Sequence, residues 1–310
     1  MKVKIVLVQE SPIFFDKEKT LQKVASLTEK HAKEGCQLIV FPESFIPGYP
    51  RGFTFGATIG KRSKEGKALY AKYYENSVCL EEGNDRSFLE NLAKKYNTYL
   101  VLGVTERIQE NGSLYCSMAY FSPSHGLLGV HRKIKPTGTE RIVWAEAGGE
   151  SLVTFQTSIG KLGGLICWEN YMPMARMAMY RKKVELYLAP TADSRPEWTS
   201  TMQHIALEGR CFVLACNQFY TKSMYPEAYQ SLVKDEEENI CPGGSVLVSP
   251  SGKIIAGPLF DEAGSLVAEL DLDEISQANL DFDVVGHYAR NDIFNLEIKN
   301  QPEMFDETNN

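Results

Sequence analysis

Apolar residues recur along this chain with two periods, and the two alternate. Residues 3–8 form a short β-rich run, and residues 17–34 place Leu21, Val24, Ala25, Leu27 and His31 near helical spacing. The stretch from Cys36 to Phe41 is again almost continuously apolar, as expected of a strand covered on both faces. A Gly- and aromatic-rich loop spans Gly48 to about Gly60. Helices are predicted over 65–78 and 85–96 and a strand over 99–104. Residues 113–121 and 126–131 read as successive strands joined by the turn-forming Ser122-Pro123-Ser124-His125-Gly126, so antiparallel pairing enters the sheet.

The second half keeps the alternation. Strands are predicted near 152–155, 161–166, 185–189, 211–217, 244–249 and 265–270, with helices near 172–182, 197–209 and 272–279. Apolar strands separated by helices predict an α/β layered architecture with mixed sheets. There is no internal repeat and no linker that divides the chain, so residues 1–296 are expected to form a single domain. Two stretches, about 54–82 and 221–241, read as surface insertions, the second carrying the acidic cluster Asp235-Glu236-Glu237-Glu238. Residues 297–310 form a polar tail expected to be loose.

Composition narrows the function classes. Of 310 residues, 43% are apolar and 24% charged, the balance of a packed, soluble protein. A net charge of -7 works against phosphate backbones and anionic lipid, which need a basic face, so neither nucleic acid nor membrane is an expected partner. No run approaches the roughly 20 apolar residues that cross a bilayer, and the opening apolar run is too short for a signal peptide. Seven cysteines form no Cys-x-x-Cys pair. Their odd number and wide scatter suit reduced thiols and a cytoplasmic setting.

Three positions carry candidate chemistry. In Lys161-Leu162-Gly163-Gly164-Leu165-Ile166-Cys167-Trp168-Glu169-Asn170 a strand with small residues runs into a cysteine and then towards a helix. A nucleophile on such a turn is lifted above the sheet edge, where backbone N–H groups can stabilise a thiolate and developing negative charge. A free cysteine is also a common packing residue, and Cys167 by itself is compatible with that role. Glu43 follows an apolar strand and Pro42, at the carboxyl end where α/β sheets bind ligands, although a surface-turn carboxylate would look the same. Lys133 closes the basic strand end His131-Arg132-Lys133, which equally describes a solvated turn.

Taken together, Phe41-Pro42-Glu43, His131-Arg132-Lys133 and Ile166-Cys167-Trp168-Glu169-Asn170 resemble the three ordered motifs of the nitrilase superfamily of carbon-nitrogen hydrolases. The runs from Glu43 to Phe53, Pro136 to Arg141, Ala189 to Asp193 and His204 to Leu214 are similar to its nitrilase branch. The resemblance implies a four-layer α-β-β-α sandwich that assembles as a homodimer or larger homo-oligomer. It also implies Cys167 as nucleophile, Glu43 as base and Lys133 as the charge that stabilises intermediates, with Glu140 as a second glutamate near them. By the same resemblance Tyr49, Trp144 and Trp168 would line the substrate pocket, joined by Phe53, Thr191 and Ala192. The expected reaction is hydrolysis of small aliphatic or arylaliphatic nitriles to acid and ammonia, with no metal or cofactor. An amidase using the same triad, or a non-catalytic scaffold that has kept the fold, are the alternatives. There is no Gly-x-Ser-x-Gly elbow and no metal-ligand spacing among the five histidines.

Overall fold

The computed structural model describes residues 1–233, 238–301 and 304–309. Within it, the alternation of apolar side chains across each strand sorts them into three clusters, and the clusters define the layers. Inward positions Ile5, Leu7, Leu38, Val40 and Val101 pack against Leu162, Leu186, Leu188, Phe212 and Leu214, so two sheets face each other across a central core. The opposite faces of the same strands, through Val6, Val8, Ile39, Leu100 and Leu102, meet Leu21, Val24, Leu89 and Leu92 of helices Lys17–Lys33 and Asn84–Tyr96. On the far side Leu165, Tyr187, Val213 and Ala215 meet Ala178, Met179, Met202 and Ile205 of helices Pro173–Arg181 and Glu197–Gly209. Because side chains alternate between faces with period two, strands buried on both sides read as continuous apolar runs. The result is an α-β-β-α sandwich.

One sheet has six strands in the spatial order Gly264–Asp271, Lys2–Gln9, Leu38–Val40, Tyr99–Arg107, Leu114–Ser122 and Gly126–Arg132. Its three central strands run parallel and its outer pairs antiparallel. The second sheet centres on the parallel strands Gly160–Gly164, Leu186–Leu188 and Phe212–Ala215. It continues antiparallel to Cys241–Val248 on one side and Thr154–Thr157 on the other. Both sheets therefore mix parallel and antiparallel pairs, as the alternation predicted.

Three features departed from the pattern. Strand Ile254–Phe260 pairs with Cys241–Val248 through register shifts and was not foreseen, because Gly257 and Pro258 interrupt it and its residues are at most half-buried. The 54–82 stretch forms a small ribbon and helix Lys64–Glu75, and its inner face places Phe55, Leu69 and Tyr73 in the central core. The tail also returns to the sheet. Phe305–Asp306 pairs parallel with Thr154–Thr157, and the buried Glu307 carboxylate accepts from the Tyr99 hydroxyl, Ser122 Oγ at 2.7 Å and the Ser158 N–H at 3.1 Å. Polarity suggested a loose segment; hydrogen bonding to one buried carboxylate docks it. Asp235, Glu236 and Glu237 of the acidic cluster lie outside the described residues. No helix among the described residues is long and apolar enough to cross a membrane, and all seven cysteines are unpaired and buried.

Candidate active site

Three chain segments converge where strands of the two facing sheets end. The first leaves strand Leu38–Val40, where the Phe41 N–H donates to Val101 O at 2.8 Å and the Phe45 N–H to Gly103 O at 2.8 Å. A Cβ on Gly103 would stand 2.0 Å from Pro42 O, so only glycine lets the Glu43 segment lie this close to the neighbouring strand. The second extends strand Gly126–Arg132 by one bond, from the Lys133 N–H to Cys116 O at 2.8 Å. The third leaves strand Gly160–Gly164, and Cys167 opens the 3-10 turn Cys167–Tyr171 with φ +50° while its N–H donates to Pro190 O at 2.9 Å. A left-handed conformation at a non-glycine residue costs about 1–3 kcal/mol and persists where surrounding bonds enforce it.

Glu43, Lys133 and Cys167 are thereby buried together. Lys133 Nζ donates to Glu43 Oε1 at 2.7 Å and to Glu140 Oε2 at 2.9 Å. Glu140 is held in turn by the Thr137 N–H on Oε2 at 2.6 Å and by the Tyr49 hydroxyl on Oε1 at 2.7 Å. On Glu43, Oε1 also accepts from the Cys116 thiol at 3.4 Å, while Oε2 is buried with no hydrogen-bond partner among the described residues. The Thr191 hydroxyl donates to Cys167 Sγ at 3.2 Å.

Burial sets the electrostatics. It pushes the Glu43 carboxyl above its ordinary value, against the opposing charge of Lys133. Burial alone would lower the Lys133 pKa, but the charges of Glu43 and Cys167 hold it well above its usual range. The Cys167 thiol is pushed up to about 12, by burial first and then by the Glu43 carboxylate. A carboxyl whose pKa is raised by burial is a stronger base than a free one, and it faces a thiol that burial makes reluctant to ionise. Two carboxylates against one ammonium leave the cluster with an excess of negative charge, suited to withdrawing a proton.

Above the cluster opens a cavity of about 360 Å³ lined by Tyr49, Arg51, Phe53, Phe55, Glu140, Ile142, Val143, Cys167, Trp168, Ala192, Asp193 and Arg195, among others. Of the expected pocket residues, Tyr49, Phe53, Trp168 and Ala192 lie on its wall. Thr191 sits beneath, on the thiol. Trp144 stands behind, its ring centroid 5.7 Å from that of Tyr49 and 5.9 Å from Lys133 Nζ. It packs the network from the rear because its chain segment follows the Glu140 turn into the core.

Four residues near the site were not singled out from sequence. The Cys116 thiol touches the candidate base. Asp193 accepts from Trp168 Nε1 at 2.9 Å and pairs with Arg195, whose guanidinium lies 5.2 Å from the Trp168 ring centroid, fixing that indole at the rim. Arg51 donates to Ala192 O, tying two wall segments together. Arg51 and Asp193 stood inside runs that carried the resemblance, and adjacency to Tyr49 and Ala192 was the available signal; Cys116, an inward position of an apolar strand, offered none.

The model of the carbon-nitrogen hydrolase family matches residues 4–279. A bifunctional nitrilase/nitrile hydratase of Lupinus angustifolius is 46% identical over 97% of this chain and 87% of its own. An aliphatic nitrilase of Sinorhizobium fredii is 44% identical, with 97% of each chain covered. Among solved structures, Nit3 of Saccharomyces cerevisiae, a member of branch 10 of the nitrilase superfamily, superposes with a TM-score of 0.74 at 24% identity, over 93% of this chain and 97% of that one. With the layers, the three converging segments and this match along nearly all its length, the chain belongs to the carbon-nitrogen hydrolase family.

Proposed function

We propose that this enzyme is a nitrilase that hydrolyses small organic nitriles to carboxylic acid and ammonia, with residues 1–296 acting as one carbon-nitrogen hydrolase domain. The observation that carries this reading is 44–46% identity, across nearly the whole chain, to proteins named nitrilases. An amidase from Nesterenkonia sp. is similar to it in fold, at 20% identity.

A nitrile carbon is a modest electrophile, so the reaction needs a strong nucleophile and a proton for the nitrogen. Glu43 takes the Cys167 proton, for which Oε2, without a hydrogen-bond partner among the described residues, is the available acceptor. The thiolate adds to the nitrile carbon while the nitrogen gains that proton, giving a thioimidate. Glu43, again a base, draws a proton from water as it adds to the thioimidate and passes that proton to the nitrogen; it then moves the new hydroxyl's proton to the nitrogen as the C–N bond breaks, so that ammonia leaves and a thioester remains. A second water breaks the C–S bond, releasing the acid and restoring the thiol. Lys133 stabilises the tetrahedral species, aided by the Trp168 N–H at the start of the 3-10 turn, where first-turn N–H groups have no helical acceptor. Glu140 holds Lys133 by its 2.9 Å bond. None of these steps calls on a metal or a cofactor.

The wall of Tyr49, Phe53, Trp168, Ile142 and Val143 favours aliphatic and arylaliphatic nitriles. Seven unpaired thiols support a cytoplasmic setting. Exposed Met172, Met174 and Leu207 at the start of helix Pro173–Arg181 and on helix Glu197–Gly209 support assembly as a homodimer or larger homo-oligomer. The test is ammonia and carboxylate release from matched panels of nitriles and amides, with wild type and Cys167→Ala. Acid from nitriles that disappears in the variant is the expected result. Turnover of amides alone would make the enzyme an amidase, and turnover of neither would refute the proposal.

A further inference from the structure

Beneath the triad lies a second buried ionic pair that the mechanism above does not use. Glu169 and His131 are both essentially inaccessible to solvent. The Glu169 carboxylate accepts three hydrogen bonds: on Oε2 from the Ile166 N–H at 2.7 Å and His131 Nε2 at 2.8 Å, and on Oε1 from the Ile134 N–H at 2.6 Å. Ile166 is the residue before Cys167. His131 and Ile134 bracket Lys133. One carboxylate therefore ties the segment that carries the nucleophile, leaving the second sheet, to the segment that carries the cation, leaving the first.

His131 locks the arrangement. Its Nδ1 faces Ser151 O at 2.7 Å, an atom that can only accept, and its Nε2 faces the carboxylate. Burial is the largest influence and works to lower the imidazole pKa, but the charge and hydrogen bond of Glu169 and the bond to Ser151 O together leave it raised, in keeping with an acceptor facing each ring nitrogen. Asn170 steadies the other side of the turn through bonds to Leu165 O and Cys167 O, both 2.9 Å. The left-handed Cys167 and the Lys133 chain are thus referenced to one rigid point. Catalytic groups need placement within about 0.5 Å to keep their effect.

We propose that Glu169, backed by His131, is a positioning residue that sets the separation of Cys167 and Lys133. The inference rests on the nitrilase reading, since it takes that pair to be the working one. Glu169→Asp keeps the charge, and with it the buried pair, but shortens the reach by one methylene; Glu169→Gln keeps the shape but loses an acceptor. Steady-state kinetics, thermal melting and the rate of Cys167 alkylation by iodoacetamide, followed by peptide mass spectrometry, are measured on both, on His131→Gln and on the double variant Glu169→Gln/His131→Gln. The expected result is a roughly 100-fold loss of kcat with KM within about threefold, and Cys167 alkylation slowed about tenfold, in chains that still melt cooperatively. The double variant loses no more than Glu169→Gln alone, because residues acting as one unit are non-additive. Folded variants with kcat and alkylation within threefold of wild type would overturn the proposal, as would losses that multiply in the double variant. Failure of both Glu169 variants to fold would make the residue a folding determinant and overturn it too. Wild type inert towards every nitrile would instead refute the nitrilase reading, and the alkylation rates would still decide whether Glu169 positions the thiol.

Discussion

Replacing Thr191 by valine tests the chemistry of the thiol with little change in shape. The Thr191 hydroxyl donates to Cys167 Sγ at 3.2 Å and accepts from the Asp193 N–H at 2.9 Å. A hydrogen bond to a charged acceptor contributes about 1.5–3 kcal/mol and a neutral one about 0.5–1.5 kcal/mol. Losing the donor therefore disfavours thiolate relative to thiol by roughly 1 kcal/mol or slightly more. One pKa unit corresponds to about 1.4 kcal/mol, so the Cys167 pKa, already pushed up to about 12 by burial and then by Glu43, should climb by roughly one unit. At any pH below that value thiolate becomes about tenfold scarcer, and kcat/KM should fall about tenfold. The assay pairs kcat/KM on a good nitrile with the pH profile of Cys167 alkylation by iodoacetamide, which should move upward by the same amount. Thr191→Val also strips the Asp193 N–H of its acceptor, at about 1–3 kcal/mol of stability, so the melting temperature should drop by a few degrees. Thr191→Ser keeps both bonds and should stay within threefold of wild type. A valine variant with kcat/KM within twofold and an unmoved alkylation profile would refute the reasoning, as would a serine variant equally impaired.

The pH dependence of kcat/KM follows from the raised Glu43 pKa. The carboxyl must be ionised to accept the thiol proton, so activity is absent below its pKa and grows as pH rises through it. The acid limb should lie above the ordinary carboxylate range, and Lys133, held well above its usual pKa, should keep its charge through mildly alkaline pH; an acid limb near the free glutamate value of about 4.3 would sink this. For the tail, Glu307→Ala removes the acceptor shared by Tyr99, Ser122 and Ser158, at about 1 kcal/mol for each bond. The melting temperature should fall by several degrees with kcat little changed, because Glu307 does not line the cavity; an unshifted melt would count against the docked tail.

What was legible in the sequence was what resides in neighbouring residues. Residues 3–8 and 36–41 declared buried strands because consecutive apolar side chains need cover on both faces, and helix Lys17–Lys33 declared itself through its spacing; its cap, Asp16 accepting from the Lys19 N–H at 3.0 Å, emerged only in the structure. The strand Ile254–Phe260 stayed hidden because half-exposed residues around Gly257-Pro258 carry little periodic signal. Trp144 could be read as aromatic and near Glu140, yet whether its ring faced ligand or core depended on the turn between them.

By itself the sequence determined the layered α/β class, which follows from local periodicity, and the order of the motifs, whose resemblance to a known family is what pointed to Glu43, Lys133 and Cys167 as candidate reactive groups. Only the tertiary structure decided that Glu43 and Lys133, 90 residues apart, share a 2.7 Å bond, that one oxygen of Glu43 has no hydrogen-bond partner among the described residues, and that the Thr191 hydroxyl donates to the Cys167 sulfur. The pKa shifts belong to the fold as well. They arise from removing water around charges brought together from distant segments, and solvent exclusion is a property no local stretch of chain possesses.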